Sequence, residues 1–130
     1  MTRCGKKPSA LRHSLFLGGT HLEKPCFLKK LRSVFDGSKT AFASSISLYE
    51  ICKLTMSQED CTVADLRVDS IKKEFTIIDV DPEIAEEAAR ISHRVKVPMA
   101  DALIMATARK LRVPCATDDP HFTEVKRIWV

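Results

Sequence analysis

The sequence predicts a three-layer α/β domain, a central parallel sheet flanked by helices, on three observations. Short apolar runs of strand length at residues 15–17, 40–43, 75–80 and 113–116 alternate with longer segments whose apolar positions recur at helical spacing. Strands alternating with helices of about ten residues imply a parallel sheet covered on both faces. Acidic residues stand at the start of one helical segment (Asp101) and in a loop after an apolar run (Asp118, Asp119), where α/β sheets carry chemistry.

Length and composition bound the rest. A chain of 130 residues with 45% hydrophobic and 29% charged residues is expected to form a single domain over 1–130, large enough to bury a core without disulfides. No apolar run approaches the roughly 20 residues that span a bilayer, so no membrane span is expected. The five cysteines are odd in number and show no CxxC spacing, which suits reduced, buried thiols in a cytoplasmic protein rather than a disulfide framework or a structural zinc. A formal charge of +4 is mildly basic and compatible with a polyanionic partner, without requiring one.

Residues 1–13, with Arg3, Lys6, Lys7, Arg12 and His13, read as a flexible basic leader. Leu15, Phe16 and Leu17 form the first strand, closed by Gly18-Gly19. Pro25 opens a helix carrying Phe27, Leu28, Leu31, Val34 and Phe35 on one face, and Asp36-Gly37-Ser38 stops it. A second strand at 40–43 leads through Ser44-Ser45, with N-cap chemistry, into a helix bearing Ile46, Leu48, Tyr49, Ile51, Cys52 and Leu54, and Glu50 sits among them. Ala64, Val68, Ile71 and Phe75 mark the next helix. The β-branched run at 75–80 is a strand closed by Asp81-Pro82, an N-cap and an N1 proline. Ile84, Ala88, Ile91 and Val95 then stripe one helix, and beyond Pro98 the residues Leu103, Ile104, Ala108 and Leu111 stripe another. A strand at 113–116 precedes the acidic loop, and residues 127–130 form a terminal strand.

Three segments carry chemistry: Ser45-Ile46-Ser47-Leu48-Tyr49-Glu50-Ile51, the run from Ala100-Asp101-Ala102 to Ala108, and Thr117-Asp118-Asp119-Pro120-His121-Phe122. Carboxylates beside apolar faces are paired, protonated or bound to a cation. Two unit charges about 4 Å apart repel by about 4 kcal/mol at an effective dielectric near 20, so converging acids call for a hard cation such as Mg²⁺ or Mn²⁺. Each acid alone has a plainer reading: Asp101 complements a helix dipole, Glu50 is a solvated face residue, and Asp118-Asp119 before a proline is turn chemistry. His121 has no second histidine at zinc-ligand spacing, and no Gly-rich phosphate loop follows a strand.

Together, in this order, the three segments resemble the PIN domains, and among them the small VapC-type toxins. The resemblance covers residues 40–130 and implies a metal-dependent ribonuclease with Glu50, Asp101 and Asp119 as metal ligands and catalytic residues, Asp118 as a further contributor, and Thr117 ordering the loop. It also implies RNA as substrate, a VapB-type antitoxin as partner, and a homodimer. One departure stands out: PIN domains carry an Asp at the end of the first strand, and the corresponding run here is Leu15-Phe16-Leu17-Gly18. Glycine has no ligand to offer, which sets a catalytic reading against a degenerate PIN-like module that binds RNA or protein without cleaving it.

Overall fold

The structure, a computed structural model, describes residues 14–17, 40–117 and 120–128. The expected basic leader, Gly18, the helix at 25–35, Asp118, Asp119 and Trp129 lie outside the described residues.

Five parallel strands form one sheet: β1 (Ser14–Leu17), β2 (Thr40–Ser44), β3 (Thr76–Ile78), β4 (Cys115–Ala116) and β5 (Arg127–Ile128), in the order β3-β2-β1-β4-β5. From β1 the chain builds outward to β2 and β3 on one side, then crosses to β4 and β5 on the other. The order therefore reverses between β1 and β4, which makes the carboxyl ends of those two strands the topological switch point, where open α/β sheets bind ligands. In register, Phe16 lies opposite Phe42 on one side and Cys115 on the other, so the three central strands are level.

Four helices among the described residues cover the sheet: α1 (Ser45–Gln58), α2 (Cys61–Glu74), α3 (Pro82–Val95) and α4 (Met99–Leu111). They pack as two hairpins, α1 with α2 and α3 with α4. Strand side chains alternate between faces, and the core divides accordingly. Phe42, Ile78 and Cys115 join the cluster built from α3 and α4, whereas Ala41, Ala43, Ile77 and Ala116 join the cluster built around Ile51, Ile71 and Phe75. That division is the expected three-layer architecture.

Local chemistry sets the helix starts where the sequence places them. The Ser44 hydroxyl accepts from Ile46 N at 3.1 Å, the Asp60 carboxylate from Val63 N at 2.9 Å, and the Asp81 carboxylate from Ile84 N at 2.8 Å, with Pro82 in the first turn. The C-terminal ends of α3 and α4 close on Lys96 and Arg112, both at φ 56° in the left-handed region.

Two expectations are corrected. The last helix is buried on every side rather than along one stripe, since all residues from Ala102 to Ala108 are inaccessible; its alanines pack inside this chain, and Thr107 satisfies its hydroxyl by donating to Leu103 O at 2.7 Å. Among the described cysteines only Cys115 is buried, where desolvation pushes its thiol up to about 12; Cys52 is half-buried and Cys61 exposed.

Ion pairs clamp the outer edges. Arg109 bridges Glu87 (3.2 Å) and Glu124 (3.3 Å), Arg94 meets Glu124 (2.9 Å), and Lys110 pairs with Asp81 and Glu83. A cleft of about 310 Å³ between α3 and α4 is lined by the apolar Ile84 and Ala106 and by five charged residues, Glu83, Glu87, Arg90, Arg109 and Lys110. All five charged residues take part in ion pairs, so the cleft is part of this clamp.

Candidate metal centre

Glu50 and Asp101 are brought together by the fold. β2 ends at Ser44, whose side chain is fully buried, and α1 grows directly from it, carrying Glu50 in its second turn. Asp101 sits in the first turn of α4, where a carboxylate also complements the helix dipole. The two helices touch. Both acids are half-buried, and Glu50 holds its proton above the ordinary carboxylate range, first because burial desolvates the charged form and second because the Asp101 charge repels it.

The Glu50 Oε1 atom is buried and without a hydrogen-bond partner. A carboxylate oxygen in that condition fits a hard cation, for which an all-oxygen donor set is suited. Thr117, which follows β4 at the switch point, is buried at 1% exposure, so the start of the acidic loop is anchored next to the sheet end. Asp118 and Asp119 follow it but lie outside the described residues, as does Gly18. Among the described residues no group of three or more His, Cys, Asp or Glu side chains converges as a metal site. The described part of the centre is therefore a carboxylate pair, and His121, which is exposed, adds no zinc-type cluster to it.

One polar residue at this place escapes the sequence reading. The Ser47 hydroxyl, on the same helix three residues before Glu50, is fully buried and also lacks a partner. The signal available in the sequence was a serine one turn ahead of an acid, between the apolar Ile46 and Leu48.

Comparison with known proteins supports the same frame. The PIN domain family profile matches residues 23–128. No curated protein sequence matches the chain. Among solved structures, the fold is similar to VapBC2 from Rickettsia felis bound to a DNA fragment from their promoter (TM-score 0.72, 14% identity, covering 88% of this chain and 97% of that one). It is also similar to FitAcB from Neisseria gonorrhoeae (TM-score 0.72, 22% identity, 88% and 96%) and to a toxin-antitoxin complex from Klebsiella pneumoniae (TM-score 0.65, 21% identity, 85% and 90%). PIN domains are generally nucleases that use divalent metals. The parallel sheet between helical layers agrees with that family, and a match over most of the length makes the assignment plain: this chain belongs to the PIN domain family.

Proposed function

We propose that this chain is a Mg²⁺- or Mn²⁺-dependent endoribonuclease, the toxin of a VapBC-type pair, held by a VapB-type antitoxin and assembled as a cytoplasmic homodimer. The observation that carries the reading is the Glu50–Asp101 pair, two acids from different helices at one site, one with an unpartnered buried oxygen and a raised proton affinity. Glu50 and Asp101 would hold the cation, with Asp119 and Asp118 supplied by the loop after Thr117. When bound, the cation lowers the pKa of a coordinated water and offsets charge on the departing oxygen of a phosphodiester. The protein side chains orient and neutralise; none is needed as a nucleophile.

Gly18 favours a second reading, a PIN-like module that binds RNA or protein without cleaving it. One experiment separates the two. Recombinant protein is incubated with RNA and Mn²⁺, alongside EDTA and Asp101→Asn controls. Cleavage abolished by both controls is expected; intact RNA at high protein and Mn²⁺ concentration selects the binding module instead.

A further inference from the structure

The Ser47 hydroxyl has no role in the apo fold. It is fully buried and makes no hydrogen bond, and as the third residue of α1 it has Ala43 of β2, not a helical residue, four positions back, so the back-bond that Thr107 makes toward Leu103 O at 2.7 Å is not open to it. A buried polar group left unsatisfied is costly, so such a group in a native fold asks for a reason. The second orphaned oxygen among the described residues stands three positions on, Glu50 Oε1. Residues three apart on a helix share a face, with Cβ atoms about 5 to 6 Å apart. One orphan is a donor and the other an acceptor.

Resting on the reading of Glu50 and Asp101 as a cation site, we propose that Ser47 is the positioning residue of that site: its hydroxyl donates to the Glu50 carboxylate when a divalent cation is bound. A carboxylate oxygen has two lone-pair sites, so Oε1 can face the cation and accept from Ser47 at once, and such supporting hydrogen bonds decide how well a ligand is oriented. A cation held by Glu50 and Asp101 would fix the Glu50 carboxylate, and the hydroxyl one turn away on the same helix face is the donor on hand. Ser47 touches neither substrate nor reacting atoms; it acts through Glu50.

The test is Mn²⁺ affinity, read by isothermal titration calorimetry on the full chain, together with the melting temperature without metal. Ser47→Ala is expected to weaken Mn²⁺ binding by about 10-fold or more. Ser47→Thr, which keeps the hydroxyl, retains most of the affinity. Without metal, Ser47→Ala melts no lower than the unmodified protein, because it removes an unsatisfied group. Should the alanine protein fail to fold, Ser47→Cys, close in shape and a weak donor, takes its place with the same expected loss of affinity. Unchanged Mn²⁺ affinity in Ser47→Ala overturns the proposal while leaving the cation site standing. An affinity loss accompanied by a lower metal-free melting temperature also overturns it, in favour of plain packing. Absence of Mn²⁺ binding by the unmodified protein is a different result, which removes the cation site and the proposal with it.

Discussion

At the scale of single residues, the strongest statement concerns Glu50. Its carboxyl titrates above the usual range because burial and the Asp101 charge both disfavour the anion. An acid whose folded pKa exceeds its unfolded value binds its proton more tightly in the folded state, so its contribution to stability is greatest below the unfolded pKa. That contribution is lost as pH rises through the folded value. The metal-free protein is therefore expected to lose melting temperature with rising pH from the ordinary Glu range upward, and Glu50→Gln to flatten that part of the profile. Thermal melts of the two proteins across that range check it; identical profiles would show that Glu50 is not strained. Cation binding competes with the same proton, so Mn²⁺ affinity should increase as pH rises over the same interval. The identity of the two acids was legible in the sequence, because Glu50 and Asp101 interrupt apolar helices in a recognisable order. Their mutual repulsion was not, since the residues are 51 positions apart and only the packing of α1 on α4 makes them neighbours. Ser47 was illegible for a related reason: a serine inside a helix reads as neutral filler until its burial and missing partner are known.

At the scale of elements, caps and patterns explain most of what could be foreseen. Ser44 and Asp81 read as N-caps and each accepts a backbone N–H, as does Asp60, which the sequence pattern did not single out. Ser44 matters most because it joins β2 to the helix that carries Glu50, so Ser44→Ala is expected to cost about 1 kcal/mol of stability. Chemical denaturation measures that loss, and a change below about 0.3 kcal/mol would mean the helix start is fixed by packing alone. The stripe read for α4 was too narrow because periodicity reports one face, and a helix enclosed on all sides has no polar face to contrast with it. Small residues are what permit the enclosure. Ala108 is fully buried in the core cluster and lines no cleft, so Ala108→Leu should destabilise by about 1 to 3 kcal/mol through overpacking. Denaturant midpoints give the value; a neutral outcome would reveal slack between α4 and its neighbours. The ion pairs of α3 with α4 and the 120–126 segment escaped the sequence entirely, since Lys110 and Asp81 are 29 positions apart and surface charges carry no partner information.

At the scale of the whole molecule, the centre is assembled from both helical layers. Glu50 rides on α1, whose Ile51 and Leu48 belong to one core cluster, and Asp101 rides on α4, whose Ile104 and Met105 lie in the other. Ile46 of α1 also packs against the α3–α4 cluster, so a cation held by both acids would add a link between layers that already meet at the α1–α4 contact. Anything that binds the folded chain alone stabilises it by mass action, by about 2.7 kcal/mol at a free concentration one hundred times its dissociation constant. Mn²⁺ at that excess is expected to raise the melting temperature of the unmodified protein and to leave Glu50→Gln nearly unmoved. The distribution of the effect is the sharper measurement. If the two layers unfold as one unit, amide exchange at core positions in α1 and in α4 slows by the same factor on adding Mn²⁺, because both open only through the state that has lost the cation. Protection confined to one helix would instead show that the layers open separately and that the ion is held by one acid, which would dissolve the pair on which the cation site rests.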